Sequence, residues 1–291
     1  MKHKVGIVGT GFVGTAVSAG LEYVLREKVD IREYDKFKNT ENLDSVVNNS
    51  DILFICVPTP TNEDGSCNIS IVQGVIKEIS EIAEKKKAVV IKSTVPPKTT
   101  NNLQKKYNNL SFTMNPEFLT ERNAFNDFIN QDRIILGYST TDSVTLKVKK
   151  LYEEFTKSQP IAGKIYETQD SIAEMLKYVT NCFLATKLSF FNEIYEICSA
   201  TGVVYGDLIP LLNVDGRIGK SHLQVPGPDG QFGFSLSCFP KDINALIAFA
   251  KEVGVDPLML ESTWTKNLLV REDHDWEKLP QFHGKYGNKN E

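Results

Sequence analysis

The sequence lacks the features that mark membrane proteins and nucleic-acid-binding proteins. No run of about 18 apolar residues occurs in it, which excludes a helical membrane span. Among its 291 residues, 33 Lys and Arg stand against 37 Asp and Glu. Such a slightly acidic balance gives no general basic surface for phosphate backbones. We therefore expect neither a membrane nor a nucleic acid as the main partner.

Paired cysteines are also lacking. The five cysteines are an odd number without a C-x-x-C pair, which favours neither a disulfide framework nor a zinc site. His274 and His283 are too isolated to indicate a metal site. The basic and then apolar first 21 residues imitate a signal peptide, but the glycine spacing inside them has another purpose. We predict a cytoplasmic protein with reduced thiols and no metal.

That glycine spacing is a G-x-G-x-x-G pattern between a β-type run, Val5 to Val8, and a helix-compatible stretch. The glycines serve a tight turn, the approach of backbone N–H groups to a pyrophosphate, and close packing of helix on strand. A second strand ends in a carboxylate about 20 residues later, which suits ribose hydroxyls and favours NAD over NADP. The predicted cofactor contacts here are Gly9, Gly11, Phe12, Val13, Gly14 and Asp35.

Three further β-type runs, 51–57, 88–91 and 110–114, alternate with helical patterns such as 69–82. This alternation predicts an α/β fold with a Rossmann-like, doubly wound parallel sheet. Ligands bind beyond the carboxyl ends of such strands. The turns there carry the candidate residues Pro58, Thr59, Thr94 and Glu117, although proline and threonine can also simply end a strand.

The second half of the chain contains a long apolar helix, predicted for 170–202 because that stretch has no proline or glycine before its last residue. We expect this helix to be buried between domains or subunits. Lys177 and Asn181 are neighbours on one of its faces. Lys177 either extends its ammonium group to solvent, as helix lysines do, or takes part in chemistry.

A proline- and glycine-rich loop, 215–234, leads to Cys238 and to a new helix, whose first turn Pro240 suits. Cys238 is predicted just ahead of that helix, with Lys241 close by. A thiolate is stabilised at such a position, and the pKa of the thiol falls, so Cys238 is a candidate nucleophile. We expect Cys56, Cys182 and Cys198 to be small buried apolar residues of the core.

Together these motifs resemble those of the UDP-glucose/GDP-mannose dehydrogenase family, from about residue 4 to about residue 270. Phe239 makes the resemblance stronger to the UDP-sugar members than to the GDP-mannose ones. The motifs are Gly9-x-Gly11-x-x-Gly14, Val57–Thr61, Ser93–Pro96, Asn115–Leu119, Asp132–Ile134, Lys177-x-x-x-Asn181, Arg217–Gly219 and Ser237–Asp242.

The resemblance implies oxidation of a nucleotide sugar, UDP-glucose above all, at its C6 alcohol. Two NAD⁺ accept hydrides, and the UDP-glucuronate formed serves polysaccharide biosynthesis. Cys238 would hold the aldehyde as a thiohemiacetal and then as a thioester. Lys177 and Asp242, with a bound water, would accept the proton that leaves the hydroxyl and stabilise the developing alkoxide. Glu117 would assist hydrolysis, Asn181 would orient the sugar, and Thr94 would lie between nicotinamide and substrate.

The resemblance also implies a homodimer, because the family residue that matches Arg217 reaches the sugar from the neighbouring subunit. The implied substrate contacts are Glu117, Phe118, Leu119, Lys177, Asn181, Arg217 and Gly233.

Two departures from the family pattern qualify the resemblance. Ser235 and Leu236 replace a glycine pair. This change adds side-chain bulk and requires a backbone φ angle that leucine disfavours. Family members usually continue with a third, nucleotide-binding domain, so we expect a short form. The predicted division is an NAD-binding domain (1–165), a connecting helix (166–204), a small, mostly helical dimerisation and cysteine domain (205–270) and a polar tail (271–291).

Two other functions stay open from the sequence. A β-hydroxyacid dehydrogenase also pairs a G-x-G-x-x-G domain with a helical Lys-x-x-x-Asn, and it would use Lys177 and Asn181 without a cysteine. A catalytically impaired paralogue would keep NAD binding and the long helix as an interaction module.

Overall fold

The structure is a computed structural model that describes residues 2–159, 161–279 and 282. It divides into two compact units. The sheet unit comprises Met1–Thr59 and Ile69–Lys177, and the helical unit comprises Pro60–Asn68 and Tyr178–Glu291. This division differs from the predicted one, because the boundary falls inside the long helix and the loop 60–68 groups with the later residues.

The sheet unit is built on seven strands in the order β2-β1-β3-β4-β5-β6-β7. All neighbouring strands are parallel except β5 and β6, which are antiparallel. The predicted Rossmann-like sheet is therefore confirmed, with a reversal of direction that was not predicted. The strands are β1 His3–Val8, β2 Val29–Tyr34, β3 Ile52–Ile55, β4 Lys87–Ile91, β5 Leu110–Met114, β6 Arg133–Tyr138 and β7 Lys164–Gln169.

Helices cover both faces of this sheet, and each face has its own apolar core. Strands β3 and β4 are buried at every residue, as the central strands of a parallel sheet covered on both faces are. The helices of this unit are α1 Phe12–Leu25, α2 Leu43–Asn49, α3 Ser70–Ile82, α4 Thr99–Lys106, α5 Ala124–Ile129, α6 Thr145–Ser158 and the first turns of α7 Asp170–Thr201.

The helical unit contains the rest of α7 together with α8 Tyr205–Leu212, α9 Cys238–Glu252 and α10 Leu258–Val270. The long helix agrees with its prediction to within a residue. Phe234 and Ile243 belong to one small core of this unit, and Tyr205 and Leu223 to another. Within residues 2–159 and 161–279, the structure contains no helix with the length and apolarity that crossing a bilayer requires.

The first residues after α10 are ordered, although 271–291 was predicted as a polar tail. A 3-10 helix covers Asp275–Lys278, and Trp276 is 1% exposed. Its ring lies 5.4 Å from that of Trp264. This stretch therefore contributes to the packing of the helical unit.

Candidate active site

The glycine turn after β1 has the geometry that a dinucleotide turn needs. Gly9 has φ +92°, and a Cβ there would lie 2.9 Å from the backbone of Cys56. A Cβ on Gly14 would lie 1.9 Å from the carbonyl oxygen of Gly9. Gly11 precedes α1 and faces open space. The turn therefore leaves the N–H groups at the start of α1, including those of Phe12 and Val13, open to an anion.

Asp35 follows β2 and lies beside this turn. Its Oδ2 accepts from the backbone N–H of Thr10 at 2.8 Å and from the Thr10 hydroxyl at 2.9 Å, and its Oδ1 accepts from the N–H of Phe37 at 3.0 Å. Burial raises the pKa of Asp35, but these bonds outweigh it and hold the pKa below its ordinary value. Lys38 donates to the Thr10 carbonyl. The carboxylate is thus ionised and fixed beside the glycine turn.

Two predicted turns lie side by side at the carboxyl ends of β3 and β4. The Ser93 hydroxyl donates to the carbonyl of Val57 at 2.6 Å, which ties the turn of Pro58 and Thr59 to that of Thr94. Thr59 and Thr94 are both buried. These residues therefore form one continuous edge of the sheet.

A buried ion pair lies in the same unit. Lys177 Nζ is 2.8 Å from Glu117 Oε1, and the two side chains are 4% and 6% exposed. Glu117 Oε2 accepts from the N–H of Leu119 at 2.7 Å, and Lys177 Nζ lies 5.8 Å from the ring centre of Phe118. Lys177 is therefore not a solvent-directed helix lysine, and the structure rejects that interpretation. A buried ammonium paired with a carboxylate can hold an oxyanion or exchange a proton.

Sequence reasoning missed a second buried lysine beside this pair. Lys92, at the end of β4, is 2% exposed and donates to Asn115 Oδ1 at 3.2 Å. The hydroxyl of Tyr152 donates to the same oxygen at 2.6 Å. Burial lowers the pKa of Lys92 to about 8, against the attraction of Cys56 and Glu117 and with the repulsion of Lys177. Its position directly after a buried strand was the available signal.

In the helical unit, Cys238 is the first residue of α9 rather than a residue ahead of it, and it is partly exposed. Asp242 forms an ion pair with Lys241 and accepts from Asn181 Nδ2 at 2.6 Å. Burial lowers the pKa of Lys241, but the charges of Asp242, Cys67 and Cys238 outweigh it and raise this pKa. The start of α9 thus combines a thiol, an ammonium group and a carboxylate.

The turn before Cys238 contains two residues with positive φ. Gly233 has φ +69° and Leu236 has φ +64°, so leucine does occupy the left-handed region that its place in the motif predicted. The N–H of Gly233 donates to Asn192 Oδ1 at 3.0 Å, and that of Leu236 donates to Asp275 Oδ1 at 3.2 Å. These two acceptors were not predicted.

Arg217 is placed differently from the other candidates of its unit. Its side chain is 89% exposed and forms an ion pair with Asp215. Each unit therefore brings together part of the predicted set. Glu117 and Lys177 meet in the sheet unit, and Asn181 and Asp242 meet in the helical unit.

No set of three side chains suited to a metal ion occurs in the part of the chain that the structure describes. His283 lies outside the described residues. Three of the cysteines, Cys56, Cys182 and Cys198, are buried. Burial raises the pKa of the Cys56 thiol to about 12, as expected of an inert core cysteine.

Comparison with known proteins identifies the family. The NAD binding domain of the UDP-glucose/GDP-mannose dehydrogenase family matches residues 18–156, and the central domain of that family matches residues 171–268. The UDP-glucose 6-dehydrogenase of Haloferax volcanii is 30% identical over 89% of this chain and 68% of its own length. The chain belongs to the UDP-glucose/GDP-mannose dehydrogenase family. Its sheet unit thus carries the family's NAD-binding domain, and NAD is its cofactor.

Other relatives agree. The UDP-glucose 6-dehydrogenase of Rickettsia prowazekii is 36% identical over 81% of this chain and 54% of its own length. This chain therefore spans about half the length of such relatives. A UDP-glucose dehydrogenase structure from Pyrobaculum islandicum shares the fold, with a TM-score of 0.79 and 24% identity over 92% of this chain and 68% of that one.

Proposed function

We propose that this family member is a nucleotide-sugar dehydrogenase that oxidises the C6 alcohol of UDP-glucose to a carboxylate with two NAD⁺. The observation that carries the proposal is the position of Cys238, partly exposed at the first residue of α9 and close in sequence to the Lys241–Asp242 pair. A thiol at a helix amino terminus beside a cation favours the reactive thiolate. The names of the relatives support UDP-glucose as the substrate.

The proposed reaction has three stages. A first hydride passes from C6 to NAD⁺, and the hydroxyl proton is released, which leaves an aldehyde. The Cys238 sulfur adds to that aldehyde, its oxygen takes a proton, and a second hydride passes to another NAD⁺ to form a thioester with release of the hydroxyl proton. Water then cleaves the C–S bond, which yields UDP-glucuronate and restores the thiol.

The remaining roles follow from the charges of the side chains. Lys177 is assigned the role of stabilising the alkoxide, because a buried ammonium group strongly stabilises developing negative charge. Glu117 is assigned to the hydrolytic water, and Asp242 to proton handling. Asn181 and Gly233 are proposed to contact the sugar. Thr94 is proposed to lie beside the nicotinamide. Placement in the cytoplasm is part of the proposal, because Cys238 acts there as a reduced thiol.

The stoichiometry of NADH tests this proposal. Purified protein with NAD⁺ and a panel of UDP- and GDP-sugars is expected to form two NADH per UDP-glucose. Cys238→Ser is expected to form no UDP-glucuronate, and mass spectrometry of the quenched reaction is expected to find the acyl adduct on Cys238 of the unmodified protein alone. Cys198→Ser, in the other small core of the helical unit, is the matched thiol control. One NADH per sugar in the unmodified protein would contradict the proposal.

We also propose that the chain forms a homodimer through α7. Val179, Phe183, Phe190 and Ile197 are 50–64% exposed and repeat every four or seven residues, so they share one face of the helix. Exposed Arg217 is the residue that the family resemblance assigns to the neighbouring subunit. Phe183→Glu with Phe190→Glu should halve the mass measured by light scattering, whereas Lys251→Glu should not. A monomeric unmodified protein would contradict the dimer.

A β-hydroxyacid dehydrogenase is the second candidate. A 3-hydroxyisobutyrate dehydrogenase of Mycobacterium tuberculosis shares the fold with a TM-score of 0.73 and 15% identity, over 94% of this chain and 95% of that chain. This function would need Lys177 but no thiol. Oxidation of hydroxy acids that persists after alkylation of Cys238 would favour it.

A further inference from the structure

Glu174 is a fully buried carboxylate to which the proposed reaction gives no role. It lies on α7, one turn before Lys177, and is 0% exposed. Its Oε2 accepts from the N–H of Lys98 at 2.6 Å, and its Oε1 accepts from the N–H and the hydroxyl of Thr100, both at 2.7 Å. These donors lie at the start of α4, where a helix leaves its first N–H groups unbonded.

The residue that Glu174 holds is in a strained conformation. Lys98 has φ +76°, in the left-handed region that side chains with a Cβ disfavour. Such residues persist where the surrounding structure fixes them, and they cluster at functional sites. Lys98 ends the turn between β4 and α4, and Thr94 lies in the same turn. One carboxylate of α7 therefore fixes the end of the turn that carries Thr94.

We propose that Glu174 is a positioning residue for the cofactor, whose carboxylate holds the β4–α4 turn in the conformation that places Thr94 beside the nicotinamide. The inference rests on the proposed function, which assigns Thr94 to that place. Glu174, which aligns the cofactor, and Lys177 then lie on neighbouring turns of α7. A carboxylate is needed because each of its two oxygens faces a backbone N–H group, which can donate but cannot accept.

Glu174→Gln tests the requirement, because it keeps the shape of the side chain but turns an N–H₂ group toward donors. The turn should relax, and kcat should fall about 100-fold, the scale that follows from a misplacement of about 1 Å. The KM for UDP-glucose should change less than three-fold. Glu81→Gln, on the exposed face of α3, is the matched control and should keep parental rates.

A second substitution separates positioning from general stability. Lys98→Gly makes the left-handed conformation accessible without strain. In the double variant Glu174→Gln/Lys98→Gly, kcat should recover about ten-fold over Glu174→Gln alone. No recovery, together with a lowered unfolding temperature that parallels the lost activity, would overturn the proposal and leave Glu174 as a helix cap only.

NAD⁺ binding measured by calorimetry keeps the two proposals apart. Glu174→Gln should weaken NAD⁺ binding about ten-fold, and Lys98→Gly in the same chain should restore most of it. If the unmodified protein oxidises no nucleotide sugar but this pattern holds, the proposed substrate fails and the positioning role stands. Unchanged NAD⁺ affinity in Glu174→Gln would overturn the positioning role, whichever substrate is used.

Discussion

The sheet unit and the helical unit fix their candidate site groups in different ways. In the sheet unit, backbone lies directly on backbone, as where Gly14 meets the carbonyl of Gly9. In the helical unit, side chains reach across to hold a loop, as Asn267 does by bonding both the N–H and the carbonyl of Phe234. A close backbone contact tolerates almost no added side-chain volume. A single hydrogen bond, in contrast, contributes about 1 kcal/mol to the free energy of unfolding. The two units should therefore respond differently to small substitutions.

Gly14→Ala should give the largest effect. Its Cβ would lie 1.9 Å from the Gly9 oxygen, and backbone cannot move away without disturbing the turn. We expect a loss of about 4 kcal/mol in the free energy of unfolding, measured by urea denaturation with circular dichroism, and no NAD⁺ binding. Gly74→Ala, in open space on α3, is the control and should be neutral or stabilising. If Gly14→Ala were as stable as Gly74→Ala, close backbone packing would not distinguish the sheet unit from the helical unit.

Glu174 tests whether the sheet unit also depends on a hydrogen-bonded group. Burial raises the pKa of Glu174 from 4.5 to about 7, against the bonds from Thr100 and Lys98 that lower it. Because the folded pKa is raised, burying the ionised carboxylate that holds the turn costs stability, so the free energy of unfolding is highest below pH 4.5 and falls as the pH rises through 7. The loss should be about 3 kcal/mol. Denaturation across this range should find the loss absent in Glu174→Gln, and an identical pH dependence would contradict the assignment.

Asn267→Ala should produce the graded response of the helical unit. The side chain is 0% exposed, and its removal leaves the N–H of Phe234 without its acceptor. We expect a loss of about 2 kcal/mol, measured by calorimetric unfolding. Asn244→Ala, which removes a bond within α9 only, should lose about 0.5 kcal/mol. A loss as large as that of Gly14→Ala would mean that both units are equally rigid.

Leu236→Gly should give the smallest effect, and in the opposite direction. Leu236 has φ +64° and a side chain that is 40% exposed, so glycine relieves strain and loses little packing. We expect a gain of about 1 kcal/mol in the free energy of unfolding. Leu211→Gly, which removes an exposed leucine from α8, should instead lose about 1 kcal/mol. A loss at both positions would argue against strain at Leu236.

The sequence predicted best what local patterns determine. The first five strands, the glycine turn and α7 follow from periodicity and turn residues, and the family motifs located Cys238. The reversal between β5 and β6 was missed, because the buried apolar run of β6 does not show the direction of the strand and the edge strand β7 is largely exposed. The partners of Glu174 and Asn267 were missed as well, since both are single polar residues on helices whose partners lie tens of residues away.

The packing of Trp276 against Trp264 has a practical consequence. The chain contains two tryptophans, and both belong to the helical unit. Intrinsic tryptophan fluorescence therefore reports on that unit alone, while circular dichroism reports on the whole chain. Comparing the two signals during denaturation will reveal whether the sheet unit and the helical unit unfold together or one after the other.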